Sequence, residues 1–246
     1  MEPFEYEAMY ELEDSLWWYR GQRKISERLF REFLPKRNNL KILDVGAGSG
    51  GSLAQLRPWG EVTAFDFSEM AVRFYGNRDS SRVAVASAAA MPYKDASFDL
   101  VTIFDVLATL DDADQNAALK EVARVLRPGG FLFWREPGHM FLHGPHDRAT
   151  HVVRRYNTKL FKSHLTAIGL KPLRLSYSNS FLFPVAVARR LLAKVRDDGS
   201  MGHSDVQPMP EPFNTILGGV LSLEAPMVAK HGLPIGLSTL TLAQKP

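Results

Sequence analysis

The 246-residue chain contains no cysteine. That absence excludes disulfides, thiolate zinc ligands, iron–sulfur ligation and a cysteine nucleophile, and it leaves the redox compartment open. A long apolar run is also missing. The best stretch, Phe181 to Ala188, holds Pro184 and runs into Arg189-Arg190, far short of a bilayer span. The opening residues Met1-Glu2-Pro3-Phe4-Glu5 are acidic and carry no basic-then-apolar leader, so a cytoplasmic protein is expected. Neither sign of charge dominates: 30 Lys and Arg face 27 Asp and Glu, for a formal net charge of +3. No dense basic stripe interleaved with aromatics is present, which argues against a nucleic-acid partner. The basic stretch Arg189 to Arg196 reads as an amphipathic helix with its charges in water, so stable membrane insertion is not expected.

What the chain does have is 45% hydrophobic residues, enough for the core of one domain spanning 1–246. Residues 5–34 read as helical, with Tyr10, Trp17, Trp18, Ile25, Leu29 and Phe33 on an apolar side and Pro35 as the stop. Strands are expected at 40–45, 61–65, 82–86, 98–104, 131–134, 173–178 and 237–244. Helices are expected at 114–126, 158–168, 181–196 and 214–230, with Asp197 to Pro212 as a loop. Short apolar strands alternating with helix-length connections predict an α/β fold: a doubly wound, seven-stranded, mostly parallel sheet. The organisation expected is an N-terminal helical arm at 1–36, a cofactor-binding core at 37–136, an active-site loop at 137–157 and a helical insertion at 181–234. That insertion would cover the sheet edge, cap the site or build a homodimer contact.

The segment Leu43-Asp44-Val45-Gly46-Ala47-Gly48-Ser49-Gly50-Gly51 places a glycine-rich turn at the end of the first strand. Glycines permit a tight turn and close backbone approach to a ligand, and the turn is expected to feed a helix whose free N–H groups face the same crevice. Gly46, Gly48 and Gly51 also satisfy the dinucleotide pattern, and Asp66 lies at a spacing that suits an NAD ribose. Asp44 separates the two readings. A carboxylate buried there needs hydrogen bonds from the turn or a cationic ligand, and it would repel a pyrophosphate.

Asp66-Phe67-Ser68-Glu69-Met70 follows the second strand, and Ser87-Ala88-Ala89-Ala90-Met91-Pro92-Tyr93 follows the third. Ser97-Phe98-Asp99-Leu100-Val101 and Phe104-Asp105-Val106-Leu107 span the fourth, and Leu126-Arg127-Pro128-Gly129-Gly130 precedes the fifth. This ordered set, across residues 40–134, resembles the class I, type 11-like methyltransferase family. The resemblance implies S-adenosyl-L-methionine as cofactor, with Asp66 on the ribose hydroxyls and Phe67 against adenine. It implies a cofactor site built from Tyr19, Arg20, Asp44, Gly46, Ala47, Gly48, Gly50, Asp66, Phe67, Met70, Ser87, Ala88, Phe104 and Asp105. Two departures stand out. Ser87 replaces the family's usual Asp at the adenine amino group, which predicts weaker anchoring, and Ala108-Thr109 replaces a frequent Glu-His.

Methyl transfer from a sulfonium is an in-line displacement, so the protein's work is alignment and, where needed, deprotonation of the acceptor. The aromatic stretch Trp17-Trp18-Tyr19-Arg20 suits either a helix packed across the sheet or a lid, with Trp18 and Tyr19 as pocket walls and Arg20 on the methionine carboxylate. The loop after the fifth strand holds His139, His143, His146 and His151. Its leading functional reading makes His146 a general base, with Asp147 or His151 orienting the acceptor. Three others stay open: a structural one, with His146 and Asp147 capping the loop and Arg154 or Arg155 paired to an acid; binding of an acidic substrate by Arg148, Arg154 or Arg155; and a metal site from His143, His146, Asp147 and His151. The expectation is a methyltransferase for a small-molecule acceptor, oxygen before nitrogen or carbon, with no metal. A non-catalytic S-adenosylmethionine-binding protein is the alternative.

Overall fold

The computed structural model describes residues 3–79, 82–196 and 207–246, excepting the side chains of 3 and 191–196. In chain order the elements are α1 (Pro3–Leu12), α2 (Trp17–Phe33), β1 (Leu40–Val45), α3 (Leu53–Leu56), β2 (Gly60–Asp66), α4 (Glu69–Arg78), β3 (Val83–Val85) and β4 (Phe98–Phe104). Then come α5 (Asp112–Val125), β5 (Leu126–Pro137), α6 (Pro145–Ala149), α7 (Thr158–Ala167), β6 (Lys171–Ser178), α8 (Phe183–Arg196), α9 (Glu211–Ser222), α10 (Ala225–Lys230) and β7 (Ser238–Gln244). The loop expected over Asp197 to Pro212 falls mostly on 197–206, outside the described residues.

The seven strands lie in the order β3-β2-β1-β4-β5-β7-β6. All neighbours are parallel except the pairs made by β7, which runs antiparallel to both β5 and β6. The order reverses between β1 and β4, and in such sheets ligands bind beyond the carboxyl ends of the strands at that point.

Alternation along the strands sends side chains to two faces. Leu43 and Val45, Val101 and Ile103, and Leu132 and Trp134 join Leu119, Val122 and Val125 of α5 and Phe161 and Leu165 of α7 on one face. Ile42, Leu100, Phe131 and Phe133 join Ile25, Leu29 and Phe30 of α2, Leu221 of α9 and Val228 of α10 on the other. The insertion therefore packs on the N-terminal arm. The contact is close enough that a Cβ on Gly21 would sit 2.5 Å from Leu221, so only glycine fits there.

Four local readings differ from the structure. The single helix expected over 5–34 is broken between α1 and α2, because Glu13 turns inward, 3% exposed, to reach partners on other elements. The helix after the glycine turn is a four-residue stub, because Pro58 and the start of β2 at Gly60 leave no room for more. Arg127-Pro128-Gly129-Gly130 lies within β5 as an irregularity in the β4 ladder, held by Gly129 N–H to Lys245 and Lys245 N–H to Gly130, both 2.9 Å. The helix expected over 214–230 divides into α9 and α10, with Pro226 in the first turn of the second piece. Among the described residues no helix is long and apolar enough to cross a membrane.

Candidate functional site

The site begins where β1 ends. Gly46, Gly48 and Gly50 all adopt positive φ, at 67°, 55° and 91°. A Cβ on Gly46 would also lie 2.5 Å from Val106, so the turn after β4 is pressed against the glycine turn. The turn is tied to β2 by Ala47 N–H donating to Phe65 O at 3.0 Å.

Asp44 is 1% exposed. It accepts from Thr102 Oγ1 at 2.6 Å and from the Ser52 hydroxyl, so the buried carboxyl is satisfied by the turn and by β4. Burial nevertheless pushes its pKa up to about 6. At the end of β2, Asp66 accepts from Gly48 N–H and Ser68 N–H, each at 2.9 Å. A carboxylate has about four acceptor positions, so capacity remains for two hydroxyls. Phe67 follows with 80% exposure, an aromatic face offered on the crevice rim, and Met70 is 37% exposed. Ser87 is half-buried and its Oγ accepts from Ala89 N–H at 3.2 Å, while Ala88 is buried. A buried carboxylate at the end of β2, an exposed ring beside it and a glycine cradle fit an adenosine bearing a charged amino acid.

The arm covers this crevice. Glu13 accepts from Ser49 Oγ at 2.9 Å and from Arg78 Nη2 at 3.0 Å, and Met9 lies 3.6 Å from where a Cβ on Gly48 would stand. Tyr19 lies among Glu13, Asp105 and Arg135, and burial pushes its hydroxyl pKa up. Trp18 packs edge-on against Tyr19 at 4.9 Å between centroids. Arg20 is not turned to the glycine turn: it is exposed and pairs with Glu211 of α9 at 2.9 Å.

The carboxyl ends of β4 and β5 join Asp105, expected at the cofactor, to two groups that sequence reasoning did not single out, Arg135 and Glu136. Asp105 has a positive φ of 60° and accepts from Arg135 Nε at 3.1 Å and from Arg135 Nη2. Arg135 is 7% exposed, with its guanidinium 4.7 Å from the Trp18 ring and 5.2 Å from the Phe104 ring. Glu136 is fully buried and accepts from Trp134 Nε1 at 2.7 Å, Leu107 N–H at 2.9 Å and Ala108 N–H at 3.2 Å. The three donors favour its ionised form, but burial and the nearby Asp105 outweigh them and push the pKa up to about 8. Glu136 thus fixes the turn opposite the glycine loop. The signal available in the sequence was two charged residues, Arg135-Glu136, closing a buried strand on the ligand side of the sheet.

The histidine loop divides. Asp147, expected beside the acceptor, is 1% exposed and saturated by the scaffold. It caps α6 through Gly144 N–H at 2.7 Å, takes Arg155 Nε and Nη2 at 2.9 Å each, and pairs with Arg190 Nη1 at 3.3 Å. That is the structural reading of this residue, since no lone pair is left for an acceptor to use. Arg154 pairs with Asp112 and donates to Gln115 Oε1 at 2.6 Å. His143 Nε2 donates to Val152 O at 2.9 Å. His146 is half-buried in α6, and His151 is exposed with a positive φ of 58°. Val153 N–H donates to Ala108 O at 2.8 Å, which sets the His151 segment against the turn that Glu136 holds. Among the described residues no three His, Asp or Glu side chains converge as a metal-binding group.

The methyltransferase-domain family matches residues 43–134. A demethylmenaquinone methyltransferase of Mycolicibacterium gilvum is 30% identical over 206 residues, covering 83% of this chain and 84% of that protein. A SAM-dependent methyltransferase of Thermotoga maritima superposes with a TM-score of 0.60 at 17% identity, over 98% of this chain and 95% of that one. Phosphoethanolamine N-methyltransferase 2 of Haemonchus contortus, solved with S-adenosyl-L-methionine, superposes with a TM-score of 0.58 at 16% identity, over 92% of this chain and 52% of that one. The chain belongs to the class I S-adenosylmethionine-dependent methyltransferases, and it is an enzyme of methyl transfer from that donor.

Proposed function

We propose that the enzyme methylates a small-molecule acceptor, with oxygen preferred over nitrogen or carbon as the methylated atom. The observation that carries this reading is the arm-covered crevice. Trp18 and Phe104 flank the Arg135 guanidinium at the ends of β4 and β5 and Tyr19 packs on Trp18, an aromatic wall that suits a compact, partly aromatic acceptor. The name of the demethylmenaquinone methyltransferases, which sets their own acceptor among small molecules, supports it.

In this reading Asp66 takes the ribose hydroxyls, Phe67 stacks on adenine and Ser87 contacts its amino group. The glycine turn lies along the methionine part, with Asp44 supplying negative charge behind it. When bound, S-adenosylmethionine supplies an electrophilic methyl group. Glu136 holds the 107–108 backbone, and Tyr19 with Trp18 excludes water. For proton removal the histidine loop offers His151 before His146, because the His151 segment is hydrogen-bonded to the turn at Ala108. A screen of hydroxyl, amine and carbon acceptors with labelled methyl donor tests the reading, and labelling confined to amines would overturn the oxygen preference. With an active acceptor, His151→Ala is expected to lower kcat about 100-fold or more and His146→Ala much less. Equal, small losses in both would rule out a loop histidine as base.

Asp44 adds a pH dependence. Its pKa is raised to about 6, so between pH 7 and pH 5 the carboxyl gains its proton and loses its attraction for the donor's cationic amino group. S-adenosylhomocysteine, which carries the same amino group, should bind about threefold to tenfold more weakly at pH 5 than at pH 7. Calorimetry near pH 6 in buffers of different ionisation enthalpy should show proton release on binding. Affinity that stays level across this range would show that Asp44 is not electrostatically coupled to the ligand.

A further inference from the structure

We propose that Arg135, locked by Asp105, recognises the acceptor oxygen and selects a small molecule with an acidic hydroxyl, a phenol or an enol. The proposal rests on the oxygen-acceptor reading above and names the substrate class for that site.

The argument begins with the cost of placing a guanidinium at the end of a buried strand. Arg135 is 7% exposed and its side chain enters the crevice rim, so its charge has lost most of its water. A desolvated cation is retained where its hydrogen-bonding capacity is used. Trp18 and Phe104 flank it with their rings, and Asp105 takes Nε and Nη2 through a single oxygen, Oδ2. Among the described residues nothing takes Nη1, and nothing donates to Asp105 Oδ1. The Asp105 side chain is 31% exposed, so the pair opens on that side.

Asp105 adopts its 60° φ at the first residue beyond β4, and this left-handed backbone aims the carboxylate across to β5. Non-glycine residues held there are over-represented at ligand sites. Adjacency ties the pair to the reaction centre: Val106 abuts Gly46, and Tyr19 lies within electrostatic reach of both Asp105 and Arg135.

An open Nη1 donor held in a fixed plane between aromatic rings is complementary to a planar acceptor with an oxygen at its edge. In an environment of low polarity its charge stabilises an oxyanion strongly and opposes a protonated amine. The acceptor's hydroxyl therefore ionises more readily when bound. Its proton passes to His151 and then to water, and the oxygen keeps the electron pair that forms the new bond to the methyl carbon as the carbon–sulfur pair returns to sulfur. Asp105 is a positioning residue in this scheme, since it fixes the guanidinium without touching the reacting atoms.

The test uses the full chain loaded with S-adenosylhomocysteine, whose binding is first measured by calorimetry in every variant. The probes are 4-nitrophenol, 4-nitroaniline and 4-nitroanisole, followed by calorimetry and by the visible absorbance of the phenolate. Wild type should bind 4-nitrophenol at least about tenfold more tightly than the other two and should move its ionisation to lower pH by about one unit. Arg135→Gln should abolish both effects with S-adenosylhomocysteine affinity unchanged, and Arg135→Lys should retain part of each. Asp105→Asn should weaken them through a looser guanidinium. If wild type holds S-adenosylhomocysteine but shows no preference for the phenol, or if Arg135→Gln keeps that preference, the proposal is overturned. Should Arg135→Gln fail to fold, the wild-type preference together with Arg135→Lys decides. Failure of wild type to bind S-adenosylhomocysteine would instead remove the reading on which the proposal rests.

Discussion

Asp147→Ala is expected to lower stability by about 3–5 kcal/mol, which for a chain of this size corresponds to a fall in Tm of roughly 10 °C. The carboxylate is 1% exposed and forms a bidentate pair with Arg155, whose side chain is 4% exposed. Truncation removes both charge-assisted bonds that Asp147 gives this buried guanidinium, which also donates to Gly138 O at 3.1 Å. It also removes the cap on Gly144 N–H and the contact with Arg190 of α8, so three segments lose one common anchor. The penalty comes mainly from removing the carboxylate that offsets the buried Arg155 charge. Asp147→Ala combined with Arg155→Met should therefore recover much of the loss, because an ion pair replaced on both sides costs far less than one broken on one side. Thermal denaturation of the two single variants and the double variant checks this. A Tm unchanged in Asp147→Ala would show that the pair carries no net stability, and an additive double variant would show that the two charges are not coupled.

The second large effect concerns the cofactor. Asp66→Ala should weaken S-adenosylhomocysteine binding by about 100-fold to 1,000-fold. Hydrogen bonds to a charged group contribute roughly 1.5–3 kcal/mol each, and in the proposed binding mode the variant loses two to the ribose, for which the lower end of that range is taken. It also frees Gly48 N–H and Ser68 N–H, so the glycine turn loses a support as well as a ligand contact. The two contributions separate with the 2′-deoxy analogue of S-adenosylhomocysteine. Wild type should discriminate against it, and Asp66→Ala should bind both forms about equally weakly. Discrimination that persisted in the variant would place the ribose elsewhere.

The chain explains why some of this was legible in advance. The glycine turn, Asp44 and Asp66 could be placed from sequence because each depends on neighbours within a few residues. A strand supplies the direction, glycines supply the turn, and an acid follows at the strand end. The short apolar strands and the helix-length connections between them likewise pointed to a parallel sheet covered on both faces. The break between α1 and α2 has no glycine or proline to announce it. Glu13 is pulled inward by Ser49, 36 residues on, and by Arg78, 65 residues on. Arg20 was expected at the cofactor because it borders an aromatic arm, but its partner Glu211 is 191 residues away.

By itself, the sequence determined a doubly wound α/β chain with a glycine turn at the end of its first strand, and the resemblance of its ordered motifs to the type 11-like methyltransferases pointed to S-adenosylmethionine. Only the tertiary structure decided what the charged residues do. Arg135 and Glu136 are consecutive in one strand and point to opposite faces. One therefore meets Asp105 and two aromatic rings, while the other is sealed beneath the 107–108 backbone. Asp147 and His151 share one loop, yet burial against Arg155 gives the first to the scaffold and exposure leaves the second at the rim. Whether a titratable side chain supports the fold or faces a substrate depends on its desolvation and its partners, and both are set by segments far away in the chain.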